Sequence, residues 1–592
     1  MESIVKADLC VVGGGLSGVC AALSAARNGL RVVLVQDRSV LGGNASSEIR
    51  MHVVGADVHG ARPGARETGI IEELRLEDAA RNPQRSYSLW DLLLYEKVTA
   101  EPNILLLLDT DCIGGDVQGE RIVAARCVRH STEESFRIEA PFFADCSGDG
   151  RLGFEAGAHH TIGRESRDAY GETLAQASSD PNVLGSSILF TARDHGQPMP
   201  FHSPDWIRHF TRDDFYMRSP HAYEYGMWWC EWGGHLDTIR DNPAIRHELL
   251  RCALGIWDFI KNSGEHPDSA NWAIEWIGAL PGKRESRRFL GPCVLTQQDL
   301  QGGRVFPDTV AYGGWPIDLH PPLGIDAVKE APCSHFNLDG LYGIPARALY
   351  SRNIDNLFFA GRNMSASHVA FASTRVMATC AVMGQAVGAM AAVAVQSGAF
   401  SVAAISNPAL AARVQQILLK DDAFLPGIRN EDADDLAQFA CAEAHEECET
   451  HPASAVLDGT TRATPETLGP WADGGSHQWR SRSLPADLHL CWRYPVPLRE
   501  VHVTFDSGLD RSLMLTMSDH YNGRQLRGPQ PEVVSDYELI ADGTTLLRVK
   551  GNMHRKRVHR LPEPVRVEKL TLRIHATHGC SEARVFELRG YA

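Results

Sequence analysis

Glycines at positions 13, 15 and 18 have the spacing that most directly implies chemistry. They fit G-x-G-x-x-G and follow at once on the apolar run Asp8-Leu9-Cys10-Val11-Val12. In that setting each has a physical task. Gly13 permits a tight turn, Gly15 lets a pyrophosphate approach the backbone, and Gly18 lets a helix pack closely on a strand. Leu16 and Ser17 open that helix, whose free N–H groups and partial positive charge attract phosphates. The pattern alone also occurs in ordinary loops, so the flanking elements decide. Ala21, Ala22, Leu23, Ala25 and Ala26 continue a helix that stops at Asn28-Gly29, a C-cap signal. Residues 31–35 read as a second strand, which completes a βαβ unit and points to a dinucleotide.

The second strand of such a unit usually ends in an acid that holds ribose hydroxyls. Gln36 stands there instead, with Asp37 and Arg38 next to it. A glutamine can accept from and donate to hydroxyls, so the site survives with an altered ribose contact. Gly42-Gly43-Asn44-Ala45-Ser46 follows. This glycine pair resembles the signature of glutathione-reductase-type flavoproteins, in which the chain turns back along the pyrophosphate; the alternative is a plain glycine turn. The resemblance implies FAD rather than NAD.

Candidate acid–base residues are fewer. Asp318 and His320 are two apart, so on an extended segment they point to the same side. A histidine titrates near neutral pH, and a carboxylate can orient it and stabilise its cation. His320 aided by Asp318 is therefore the candidate base for a substrate hydroxyl. His52 and His368 compete for that role, although a lone histidine is more often structural. The fourteen cysteines contain no C-x-x-C, so no disulfide framework, iron–sulfur cluster or metal site is read from them.

Composition bounds the rest. At 592 residues the chain has room for about three or four domains. A hydrophobic content of 43% and 22% charged residues suit an ordinary globular protein. A net charge of −16 without any basic run argues against nucleic acid as a partner. The chain enters a strand almost at once, which leaves no room for a signal peptide and makes a cytoplasmic location the expectation. Residues 376–395 have the length of a membrane span, but Ala, Gly, Met and Val dominate them. Small residues give little transfer energy and allow close packing, so the segment reads as a buried helix and no membrane partner is expected.

Two further returns toward the cofactor are visible. Residues 141–150 are an apolar strand ending in Ser147-Gly148-Asp149-Gly150, and residues 356–363 are a strand ending in Gly361-Arg362-Asn363. Ser373-Thr374-Arg375 then opens the small-residue helix at Val376, whose N-terminus would stabilise negative charge on a reduced flavin. With these motifs in order, residues 1 to about 450 resemble the FAD-dependent oxidoreductase family related to the fumarate-reductase flavoproteins. That resemblance implies FAD contacts at the glycines and neighbours named above and also at Arg50, Cys112 and Ile113.

The fold expected is an α/β FAD-binding Rossmann-type domain with an inserted β-meander and an α+β substrate domain, plus a C-terminal all-β sandwich. The FAD domain takes residues 1–150, with the meander at 103–145, and returns at 347–400. Residues 151–346 form the substrate domain, where aromatics from Tyr223 to Trp315 suit either a pocket or a core. The charged run 282–288 reads as a solvated face. Residues 401–454 read as a helical linker with an acidic solvated helix at 431–449. From 455 to 592 strand-like runs, among them 513–517, alternate with turns. With Trp471, Trp479 and Asn552 they resemble a discoidin-like, galactose-binding sandwich, a kind of module that often holds glycans and in other cases only packs against its neighbour.

The function implied is hydride transfer between a hydroxyl-bearing, sugar- or polyol-like small molecule and flavin N5. Reduction of an activated double bond in a small carboxylate is the alternative, and a glycan-binding protein with a structural or sensing flavin is another. Oligomeric state is not legible.

Overall fold

The computed structural model describes residues 2–592. Short, mostly apolar runs form its central sheet, buried on both faces except at the edge strand Ile104–Leu107. Five parallel strands lie in the order Leu357–Phe359, Phe142–Asp145, Leu9–Val12, Val32–Val35, Ile104–Leu107. Leu9–Val12 is central. The chain leaves it for Val32–Val35 on one side and later returns to Phe142–Asp145 on the other. Its end is thus a switch point, where a crevice opens for a ligand.

On one face the helices Leu16–Arg27 and Met377–Gln396 cross closely. Small residues make that approach possible. A Cβ on Gly384 would lie 2.0 Å from the Ser17 carbonyl oxygen, and one on Gly388 2.4 Å from that of Ala21. Met377–Gln396 is the one helix among the described residues long and apolar enough to cross a membrane, and 94% of its apolar window is buried within the protein. The other face carries a four-stranded sheet of Glu2–Lys6, Glu134–Glu139, Arg121–Arg129 and Thr110–Gln118.

The meander therefore differs from the expectation. Ile104–Leu107, within the stretch expected to be meander, belongs to the parallel sheet, and Gly114-Gly115 lies at a register shift within the strand Thr110–Gln118. An apolar run such as Ile104-Leu105-Leu106-Leu107 suits either sheet equally.

Residues 151–346 form several short strand pairs and the long helix Asn242–Asn262; Thr309–Gly313 and Tyr342–Pro345 pack into the core of the first domain. Tyr223, Trp229 and Trp257 are core residues there. The charged run is not a solvated face: Arg284, Glu285, Ser286 and Arg288 are buried, with Glu285 paired to Arg288 and His368. Residues 431–449 form no long helix either; Cys441–Ala444 is a strand that pairs with the C-terminal sheet.

That sheet has seven strands. Ala486–Phe505 and Lys556–Thr577 are long enough to pass from one layer to the other. The first half of Ala486–Phe505 pairs with Cys441–Ala444 and its second half with Arg584–Tyr591. Leu488, Leu490, Val501, Val503, Leu572 and Ile574 fill the core between the layers. Residues 513–517 are not a strand. Leu513 instead joins Leu76 and Ala79 in a small core shared with the first domain, so its apolar run marks burial rather than pairing.

Candidate functional site

A cavity of about 850 Å³ extends from the ends of the parallel strands into residues 151–346. Gly13, Gly15, Gln36, Asp37, Arg38, Cys112, Ile113, Ser147 and Gly148 line one end. Leu16, Ser17, Gly42, Gly43, Asn44, Gly361, Arg362, Arg375 and Val376 line the middle, and Trp228, Trp315, Asp318, His320, His335 and Tyr521 the other end. Of the remaining expected contacts, Gly18, Ala45, Ser46, Arg50, Gly150, Asn363, Ser373 and Thr374 fall outside the lining.

The glycines divide by task. Gly13 has φ 102°, and a Cβ there would lie 2.5 Å from the Cys146 carbonyl oxygen; one on Gly18 would lie 1.7 Å from that of Gly13. Both are required by packing. A Cβ on Gly15 would meet nothing nearer than the Gly43 Cα at 4.0 Å. That glycine keeps open a space the protein itself does not fill, between two glycine turns joined by a Gly15–Gly42 bridge.

Gln36 has both ends of its amide occupied. Its Oε1 accepts from the Gly14 N–H at 2.7 Å and its Nε2 donates to the Val40 carbonyl at 3.0 Å. It pins the glycine turn. The neighbouring Asp37 carboxylate is half exposed, with Arg38 4.0 Å away.

The second and third returns are tied together. Asn363 donates to the Asp145 carbonyl at 3.0 Å, which explains its position behind the lining, while Gly150 lies against the Phe289 ring. Asp149 lines the cavity and meets Lys283 at 2.5 Å and Arg362 at 3.2 Å. Burial pushes its carboxyl up, but these cations outweigh it and hold the pKa at about 2. Ala45 and Ser46 are buried in and after the short turn Gly43–Ala45, and the Arg50 guanidinium lies 4.0 Å over Trp276.

The helix opens later than its sequence suggests. Ser373 and Thr374 end a separate short helix, His368–Thr374; Arg375 closes it, and Val376 caps Met377–Gln396. Ser373 bonds the Trp315 carbonyl at 2.5 Å and Tyr342 Oη at 2.8 Å. His368 is buried outside the cavity, its Nδ1 3.0 Å from Glu285. It braces that short helix.

At the far end charges are paired. Asp318 Oδ2 accepts from Arg375 at 2.8 Å and faces His320 Nε2 at 3.2 Å, while Oδ1 faces His335 Nε2 at 2.9 Å. Burial raises the Asp318 pKa, but His320, His335 and Arg375 together hold it well below the usual carboxylate range. The hydrogen bond to Asp318 raises His335 to about 10. His320 Nδ1 meets Glu231 at 2.7 Å, and Glu231 meets Arg284 at 3.3 Å. Asp318, Cys333 and His335 bring donor atoms within 4.8 Å of one another, the separation a metal site needs, with Arg375 and His335 already neutralising the carboxylate.

His52 lies in the wall, its ring centroid 5.8 Å from that of His59 and 5.8 Å from that of Tyr521. Burial lowers its pKa to about 3, so it is neutral at physiological pH. Sequence reasoning missed Glu231, Lys283, His335, His59 and Tyr521. Glu231 sits among tryptophans and Tyr521 in a turn-rich stretch, and neither setting announces a site residue.

The family model described as FAD dependent oxidoreductase matches residues 8–418. No curated protein matches the chain. Among solved structures, the chain is similar to a geranylgeranyl bacteriochlorophyll reductase-like protein from Thermoplasma acidophilum. That match has 13% identity and a TM-score of 0.34, and covers 71% of this chain and 85% of the other. It is also similar to the family 32 carbohydrate-binding module of C. perfringens NanJ in complex with galactose. There the identity is 16% and the TM-score 0.20, covering 27% of this chain and 98% of the module.

Proposed function

We propose that this chain, which belongs to the FAD dependent oxidoreductase family, oxidises a hydroxyl group of a neutral, polyhydroxylated small molecule. FAD is the cofactor of that family, and when bound it would supply the two-electron acceptor for a hydride from substrate carbon. The chain's own residues fit it. The open space at Gly15, beside the N-terminus of Leu16–Arg27, suits a pyrophosphate. The N-terminus of Met377–Gln396 meets the cavity at Val376 and Met377 and favours negative charge beyond it.

The observation that carries the substrate reading is the aromatic lining of the far end, where Trp228, Trp315 and Tyr521 offer ring surfaces of the kind that stack on sugars. Each cation there also touches a carboxylate, Arg375 and His335 sharing Asp318 while Arg284 meets Glu231. His320 takes the hydroxyl proton in this reading. Glu231 holds Nδ1 at 2.7 Å, Nε2 accepts from Arg375 at 3.1 Å until the substrate hydroxyl displaces that bond, and Asp318 stabilises the cation that forms.

The test is reduction of an artificial electron-accepting dye by the FAD-loaded protein. A panel of sugars and polyols is compared with hydroxy acids and unsaturated carboxylates. Dye reduction by neutral members is expected. Turnover confined to carboxylates, or none with any member, would overturn the reading.

A further inference from the structure

We infer that the C-terminal sandwich supplies part of the substrate compartment, with Tyr521 as a wall against which the substrate stacks. This rests on the reading above of which end of the cavity takes substrate. Residues 506–533 leave the sandwich between Ala486–Phe505 and Val534–Ala541 and run over the first domain. Their roots are fixed by buried polar contacts. Arg66, with no exposed surface, pairs with Glu72 at 2.7 Å and donates to the carbonyls of Ser507 and Gly508, each at 3.1 Å, and to that of Arg511. Ser507 Oγ donates to Glu72 at 2.7 Å. Farther along, Arg527 pairs with Asp78 at 2.7 Å and donates to the Asn82 carbonyl at 2.8 Å.

Between these anchors Ser518 caps the short helix Asp519–Asn522, which carries Tyr521 into the cavity wall. One face of its ring stacks on His59, with centroids 4.2 Å apart and planes 13° from parallel. His59 in turn meets Trp315 edge-on at 5.3 Å. The aromatic wall is thus continuous from the sandwich to the residues beside Asp318. A residue that merely joined two domains would be buried between them. Tyr521 is partly exposed, and the joining is done by Arg66, Arg527 and Leu513.

The test compares Tyr521→Ala, Tyr521→Leu and Tyr521→Phe as FAD-loaded full-length proteins. Losing the ring should raise KM for the polyol substrate roughly three- to tenfold, the worth of one aromatic contact. FAD content should not change, kcat should stay within about twofold, and the Phe variant should stay near wild type. A second readout needs no substrate: iodide should quench flavin fluorescence more strongly in the Ala and Leu variants, because the wall is gone. If no polyol is turned over, the substrate reading fails and the quenching comparison alone decides the wall. FAD-loaded Ala and Leu variants with unchanged KM and unchanged quenching would overturn the inference.

Discussion

The Tyr521 ring lies flat on the His59 imidazole, 4.2 Å between centroids, and so brings a residue of the C-terminal sandwich into the cavity wall. Of the two possibilities the sequence leaves open for residues 455–592, a glycan-holding independent module or a sandwich packed on its neighbour, that contact and the buried Arg66 and Arg527 anchors favour the second. Removing everything after residue 454 strips Arg66 of three carbonyl partners and exposes the Leu76–Ala79 surface. The truncated protein should be insoluble or free of flavin. Gel filtration with flavin absorbance checks this, and a soluble, fully loaded truncation would contradict it.

Gly15→Val puts its Cβ into the space between the two glycine turns, 4.0 Å from the Gly43 Cα, the nearest protein atom to it. The variant should fold and should be colourless. Circular dichroism and the visible spectrum measured together separate this outcome from unfolding. A yellow Gly15→Val protein would move the pyrophosphate elsewhere.

Both amide ends of Gln36 are engaged by the chain, so the proposed reading expects the ribose contact at Asp37. Asp37→Ala should retain FAD roughly tenfold less tightly, the value of a charge-assisted hydrogen bond. The measurement is fluorescence titration of apoprotein with FAD. Unchanged affinity would return the ribose to Gln36 or the backbone.

His335 gives a pH dependence with a definite sign. Its folded pKa is raised to about 10 from an ordinary 6.5 by the hydrogen bond to Asp318. The stabilisation from this pair is therefore complete below about pH 6.5 and is lost as pH rises through about 10. The His335 side chain is half exposed, so water screens the pair and the effect is modest. The thermal midpoints of wild type and His335→Gln should differ most near pH 6 and converge near pH 10. A gap that widens with pH would contradict the assignment.

Legibility followed the range of the interactions. The βαβ start, the returns at Ser147 and Gly361 and the buried helix at 377–396 were readable because their signals are local: glycines, continuous apolar runs, small residues at helical spacing. The break at Arg375-Val376 was not, since Ser373 is held in its own short helix by Trp315 and Tyr342, which are far off in sequence. Glu231 was invisible for the same reason. Its bond to His320 spans 89 positions, and nothing near either residue announces it. Residues 513–517 looked like a strand because burial against another domain and burial in a sheet select the same side chains.

The most direct measurement of the central claim is anaerobic rapid mixing of the FAD-loaded protein with a polyol that it oxidises. The polyol is prepared with hydrogen and then with deuterium on the carbinol carbon. Flavin bleaching in a single turnover should be slower by a factor of several with deuterium, and His320→Ala should slow it roughly a hundredfold with FAD still bound. Bleaching at one rate with both isotopes and in both proteins would mean that neither hydride transfer from that carbon nor His320 limits the reaction, and it would contradict the proposed chemistry.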